Sequence, residues 1–495
     1  MFYKSTRSIE KAKYSSAQVI KQGLADDGGL FVPESIPALS MQEIQELCKE
    51  SYPVRAAKIL SKFLTDYTYE ELLDDCKQAY AEESFVGGAA PLVNIHDNFE
   101  SLELWHGPTA AFKDMALQIM PRLLSRALVK TGEKRTAMIL VATSGDTGKA
   151  ALEGYKDLPG IKIMVFYPVD GVSRVQKLQM ATQTGSNVNV CAIRGNFDDA
   201  QTGVKQIFAN DEIAKELDQN GHFFSSANSI NWGRLAPQIV YYVSAYCDLL
   251  NAGKCQAGDS FNVCVPTGNF GNIFAAYLAK LMGLPIDKLI CASNVNNILT
   301  DFLTTGTYDR NRNFHLTMSP SMDILISSNL ERLLYFTAGS EKTADYMNQL
   351  KANGVYSVEA DILAKIRENF IGYYADEAET AKTIKKTYDT YGYLADTHTA
   401  VAISAANQYV KDTDDQKPMV IDSTASPYKF ANNVYLSLTG KEADSDLAAL
   451  DQLSAETNTQ IPYPLAGLAD RKVNFTEVID KTDMAKSVLD YIARS

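Results

Sequence analysis

Twice in this chain a run of apolar, β-prone residues breaks directly into a glycine-rich turn and then into a helical pattern. That order constrains the fold more than any other feature. Residues 136–143 (TAMILVAT) read as a buried strand, followed by Ser144-Gly145-Asp146-Thr147-Gly148 and a helix over 149–155. Residues 261–265 read as a second strand, followed by Pro266-Thr267-Gly268-Asn269-Phe270-Gly271-Asn272 and a helix over 273–282. Strand patterns at 162–167 and 187–193, and a helical one at 200–209, continue the alternation. Strands apolar along their whole length and separated by helices require parallel sheets covered on both faces. The expected class is therefore α/β. Ligands of such sheets gather at the strand C-terminal ends, where both loops fall.

Glycines let each loop fold into a nest of N–H groups, and the helix that follows adds positive potential. Each loop therefore suits an anion, although neither matches the lysine-bearing P-loop or GxGxxG. A third strand-turn-helix unit places a lysine. Leu102-Glu103-Leu104-Trp105 reads as a short strand, His106-Gly107-Pro108-Thr109 as a turn, and Met115 to Met120 as the opening of a helix. Gly107 and Pro108 are turn chemistry. Lys113 stands at the mouth of this unit, where a positive helix end and partial desolvation favour the neutral amine. A neutral amine forms a Schiff base with an aldehyde. A lysine read in isolation there is more often solvated. Two anion nests and one such amine together fit a cofactor carrying both phosphate and aldehyde, with an anionic substrate. That description is pyridoxal 5'-phosphate acting on an amino acid.

Six segments then carry a resemblance over nearly the whole chain: GLADDGGLFVPESIP from Gly23, ELWHGPTAAFKD from Glu103, ATSGDTGKAALEGY from Ala142, NSINWGRLAPQIVYY from Asn228, TGNFGN from Thr267 and STASPYKF from Ser423. The chain resembles the threonine synthase family in its long microbial form. HGPT-x-AFKD is the most specific of the six. The resemblance implies a fold-type II pyridoxal-phosphate enzyme, similar to the tryptophan synthase β chain, with an N-terminal mostly helical section and a helical insertion. It implies that Lys113 holds the cofactor and later shuttles protons, and that Gly268, Asn269, Phe270, Gly271 and Asn272 take its phosphate. Ser144, Gly145, Asp146 and Thr147 would bind the substrate carboxylate. Many relatives of this fold type have Asn where Asp146 stands, so the role of that acid is left open. A hydroxyl after the strand at 419–421 would meet the pyridine nitrogen, with Thr424 preferred and Ser423 second.

The implied reaction turns O-phosphohomoserine and water into threonine and phosphate. Arg234, with Ser229 and Asn231, would hold the departing phosphate. Two other readings are a phospholyase giving 2-oxobutyrate, ammonia and phosphate, and a non-catalytic binder of a phosphorylated metabolite. The intact Lys113 counts against the binder.

Composition narrows the setting. A net charge of −13 argues against non-specific nucleic-acid binding and against an anionic membrane surface. No stretch approaches the roughly 20 apolar residues of a membrane helix, and the first residues lack a signal-like apolar core. Seven cysteines without CxxC spacing read as core residues of a reducing compartment, so the cytoplasm is expected. His96, His222 and His315 are isolated, His398 reads as structural beside a helix cap, and no metal is expected. The expected divisions are 1–90 (N-terminal, mostly helical), 91–440 (core, with a helical insertion at about 300–390) and 441–495 (C-terminal extension). The resemblance allows a monomer or a homodimer.

Overall fold

The alternation resolves into two sheets in the computed structural model, which describes residues 1–143, 145–170 and 172–494, with Asp198 described by its backbone alone. The larger sheet has six strands in the order Phe370–Tyr374, Ile286–Ser293, Phe261–Pro266, Met419–Ser423, Phe99–Glu103, Leu92–His96. Its neighbours run parallel until the last pair, Leu92–His96 with Phe99–Glu103, which is antiparallel. The smaller sheet has five strands, all parallel, in the order Val478–Asp480, Val188–Arg194, Ile161–Pro168, Thr136–Ala142, His222–Ser225.

Central strands are buried at every position, as in Phe261–Pro266 and Met419–Ser423. Val263, Val265, Val420 and Ile421 are fully enclosed. Each such side chain contributes about 1.5–3 kcal/mol through its removal from water. The helix Trp232–Asn251 is buried on nearly every side, and Trp232 at its start packs against Tyr3 and Phe63. That contact docks the N-terminal helices, among them Tyr52–Phe63, onto the core, and Arg55 adds bonds to Ser244 and Asp248.

Several expected elements shift for identifiable reasons. The strand before the lysine turn is Phe99–Glu103, not 102–105. Its register with Met419–Ser423 recruits Glu100 and Ser101, whose polar groups are satisfied by Lys254 and Tyr393. The helix after Lys113 is two pieces, Asp114–Leu117 and Met120–Lys130. Pro121 lacks an N–H and cannot continue the first ladder, but it suits the opening turn of the second. Pro53 likewise lies in the opening turn of the helix Tyr52–Phe63. Within 300–390 the chain is largely helical, yet Phe370–Tyr374 returns as an edge strand of the larger sheet. The C-terminal segment is woven into the smaller sheet through Val478–Asp480, and the helix Met484–Ala493 packs Met484, Val488 and Ile492 on that sheet's outer face.

Candidate active site

The lysine turn is rigid before any ligand enters. Thr109 donates its N–H and its hydroxyl to the two oxygens of Asp114, at 2.8 and 2.7 Å. Asp114 is enclosed, and burial pushes its acid up to about 7. Gly107 is required here, since a Cβ would lie 2.6 Å from Asp114. The turn is stitched to the end of Met419–Ser423: Leu104 N–H to Ser423 O at 3.0 Å, Phe112 N–H to Thr424 O at 2.8 Å, Ser426 N–H to Ala110 O at 3.1 Å. Those bonds set Lys113 and Thr424 side by side.

The Lys113 amine sits 4.1 Å from the centre of the Phe112 ring and has no hydrogen-bond partner among the described residues. Burial and then the nearby Arg234 charge lower it to about 8, against the pull of Asp146. An amine in that range can both give and take a proton near neutral pH.

Beside it, the loop after Phe261–Pro266 leaves the N–H groups of Gly268, Asn269, Phe270, Gly271 and Asn272 without an acceptor among the described residues. Phe270 holds the left-handed conformation at φ +63°, a strained state that the surroundings must impose. The imposition is visible. Asn329 donates to Asn269 O from its backbone and from its side chain, both at 3.0 Å. Ser327 donates to Gly268 O at 2.7 Å. Arg332, fully buried, braces Asn329 and donates to Phe31 O and Ile230 O. The Asn272 side chain points inward: its amide donates to Asp422 Oδ2 at 2.9 Å, and its oxygen accepts from Tyr241 and Tyr242.

The other loop is built differently. Thr143 Oγ1 accepts from both Gly145 N–H and Gly148 N–H at 2.9 Å. Gly145 has φ +143°, and a Cβ there would fall on the Gln176 amide. The N–H groups of Asp146 and Thr147, in the first turn of the helix Asp146–Tyr155, remain without an acceptor among the described residues. Ser144 lies outside the described residues. The Asp146 side chain turns away from those donors. It meets Lys429 Nζ at 2.9 Å and Gln176 Nε2 at 2.9 Å. Burial raises this acid, but Lys429 and Gln176 outweigh it and hold the carboxyl below its usual range. Lys429 escaped the sequence reading although it stands in the PYKF run. Nothing local in that run points to a residue so distant in sequence.

The two hydroxyl candidates separate cleanly. Ser423 Oγ is engaged by Trp105 Nε1 at 3.0 Å, Thr399 Oγ1 at 3.1 Å and Tyr393 OH at 3.4 Å. Thr424 Oγ1 has no partner among the described residues, so it is the one available to a ligand. Arg234 is buried, donates to Ala227 O at 2.5 Å, and keeps its Nε without a partner. Burial lowers its guanidinium to about 10. Ser229 Oγ accepts from Asn329 at 3.3 Å. Asn231 is otherwise committed: its oxygen caps Gly233 N–H and its amide donates to Ile20 O and Ser226 O. His398 is held between Asp396 Oδ1 at 3.0 Å and the Ser321 N–H at 3.1 Å, which is structural use of both ring nitrogens. No group of three or more metal-ligating side chains occurs among the described residues, and no helix there is long and apolar enough to cross a membrane.

Charge is therefore unbalanced in one direction. Asp146 with Lys429 and Lys149 with Glu153 are pairs. Lys113 and Arg234 make no ion pair among the described residues, although Asp146 is near enough to act on Lys113. Two unpaired cations, a nest of free N–H groups and a free hydroxyl fit pyridoxal phosphate and an anionic substrate.

Comparisons agree with that fit. Families described as Threonine synthase N terminus, Pyridoxal-phosphate dependent enzyme, and Threonine synthase, C-terminal match residues 2–80, 101–421 and 399–489. A human protein named Threonine synthase-like 1 is 42% identical over 443 residues, which cover 87% of this chain and 59% of the relative. The chain thus spans about three-fifths of that relative's length. The threonine synthase of Pseudomonas aeruginosa is 40% identical over 88% of this chain and 90% of its own. The crystal structure of pyridoxal-phosphate-bound threonine synthase from Brucella melitensis superposes with a TM-score of 0.88 at 36% identity, covering 100% of this chain and 99% of that one. The chain belongs to the threonine synthase family of fold-type II enzymes, with pyridoxal phosphate as cofactor.

Proposed function

We propose that the protein is a lyase that converts O-phosphohomoserine and water to threonine and phosphate, the last step of threonine biosynthesis. The observation that carries this reading is Arg234, a buried cation with an unpartnered Nε close enough to Lys113 to depress it. A dianionic leaving group needs such a donor beyond the reacting carbons.

Bound pyridoxal phosphate supplies the electron sink for charge that develops at the substrate Cα. The rest falls to this chain. The N–H groups of Gly268 to Asn272 hold the cofactor phosphate. Thr424 offers the ring nitrogen a neutral hydroxyl, which restrains delocalisation and suits elimination over transamination. The N–H groups of Asp146 and Thr147, with Gly145 shaping the turn, receive the substrate carboxylate. Lys113 takes the proton from Cα, gives it up within the site and then takes one from Cβ. One proton returns to Cγ once phosphate has left and one to Cα once water has added at Cβ, while water's own proton passes to the phosphate. Phosphate leaves from Cγ toward Arg234 and Ser229. Asn231 has no free polar group for this and is left out of the set. The seven unpaired thiols suit a reducing compartment, and we place the protein in the cytoplasm as a monomer or homodimer.

Product analysis with O-phosphohomoserine tests the reading. Threonine and phosphate in equal amounts, lost in Lys113→Ala, are expected. Oxobutyrate and ammonia in place of threonine would sink it in favour of a phospholyase.

A further inference from the structure

Lys429 joins two of the segments that the site uses, the carboxylate loop and the lysine turn, yet no step above employs it. It follows the strand Met419–Ser423 in the larger sheet and is completely enclosed. Its ammonium donates to Asp146 Oδ1 at 2.9 Å and to Gln179 Oε1 at 2.5 Å. A third bond, at 3.3 Å, goes to the Thr109 carbonyl in the lysine turn. Asp146 and Gln179 belong to the helices Asp146–Tyr155 and Arg174–Ala181, which alternate in the chain with strands of the smaller sheet. Gln176, one turn before Gln179, donates to the same Asp146 Oδ1 and fills the space above Gly145.

An acid in the first turn of a helix that must accept a carboxylate is a contradiction unless its charge is cancelled. Lys429 cancels it through a 2.9 Å contact with Oδ1. We propose that Lys429 is a positioning residue for the α-carboxylate of the substrate. It neutralises Asp146 and ties the carboxylate loop to the turn that bears Lys113. The inference rests on the proposed amino-acid substrate only in that an α-carboxylate docks on this loop.

The test uses the cofactor-loaded wild type, Lys429→Met, Lys429→Arg, and the doubly neutral Asp146→Asn/Lys429→Met. KM and kcat are measured with O-phosphohomoserine. Binding of L-serine and of ethanolamine, the same amine without its carboxylate, is followed by the cofactor's absorption. Leaving one partner of a buried pair uncompensated should raise KM, and the dissociation constant for serine, about a hundredfold in Lys429→Met. Ethanolamine binding should be unchanged, kcat should fall by less than about fivefold, and Lys429→Arg should recover part of the loss. The double variant should return serine binding to within about tenfold of wild type, because it buries no lone charge. Equal weakening of serine and ethanolamine, a loss confined to kcat, or a double variant no better than Lys429→Met would overturn the proposal. If Lys429→Met does not fold, the double variant and Lys429→Arg decide by the same serine-to-ethanolamine ratio. A wild type that discriminates serine from ethanolamine but does not turn over O-phosphohomoserine removes the proposed reaction and leaves this inference standing.

Discussion

The two anion loops share a plan, strand to glycine turn to helix, and differ in how they carry charge. The loop at Gly268 to Asn272 presents five free N–H groups, and the side chains bracing it, Asn329 and Ser327, are neutral. The loop at Gly145 to Gly148 spends two N–H groups on Thr143, keeps two, and contains a buried acid that a lysine must cancel. A dense neutral nest suits the phosphate of a cofactor that stays. A sparse loop balanced by an ion pair suits a carboxylate that comes and goes. Backbone donors fix affinity, and a balanced pair fixes orientation.

The largest break in that contrast should come from Gly268→Ala. Its Cβ would lie 2.6 Å from the Ser321 carbonyl, and backbone cannot swing aside as a side chain can. Overpacking of this kind should weaken pyridoxal phosphate roughly 30- to 100-fold by equilibrium dialysis. Retention of wild-type cofactor affinity would show that the nest tolerates displacement and that its geometry is not what holds phosphate. Gly145→Ala tests the opposite loop. There φ is +143° and the obstruction is the Gln176 side chain. KM should rise roughly 10- to 30-fold while cofactor content stays full. A variant that loses cofactor instead would erase the distinction between the loops.

A pH experiment sharpens the comparison through Lys113, the amine on which Asp146 of the second loop acts. Burial and Arg234 lower its amine to about 8, and only the neutral form attacks an aldehyde. The neutral fraction falls as pH falls below that value. Capture of pyridoxal phosphate by the cofactor-free protein should therefore slow about tenfold per pH unit below 8 and level off above it. A rate that keeps climbing past pH 10 would mean an ordinary solvated lysine.

What the sequence made legible was what chemistry writes locally. Glycine-hydroxyl-amide runs announce nests, and HGPT-x-AFKD announces a lysine on a rigid turn, so both loops and Lys113 could be found. Lys429 could not, because its reason for being there is Asp146, which belongs to the other sheet. The edge strand Phe370–Tyr374 was hidden for a related cause: its short, half-buried run sits inside a helical region and gains meaning only beside Ile286–Ser293. Phe99–Glu103 was placed too late because Glu100 and Ser101 look like loop residues until Lys254 and Tyr393 satisfy them.

The smallest predicted effect concerns a third helix start, where the same kind of local pattern has another meaning. Asn231 stands before Trp232–Asn251 as Gly145 stands before Asp146–Tyr155, and NSINWGR reads equally well as a ligand set or as a cap. Here the side-chain oxygen already accepts Gly233 N–H at 2.9 Å, and the amide is tied to Ile20 O and Ser226 O. A helix start whose Gly233 and Arg234 donors are already met by Asn231 has little left for an anion. Asn231→Ala should thus shift the urea midpoint by the equivalent of about 2 kcal/mol while kcat/KM stays within about twofold. Ser229→Ala, which removes a hydroxyl that accepts from Asn329 and is proposed to receive the departing phosphate, should do the reverse: stability unchanged, KM for O-phosphohomoserine up about fivefold. If Asn231→Ala instead raised KM with stability intact, the rule separating the anion loops from this helix start, namely whether the cap has already used the donors, would fail where it is easiest to check.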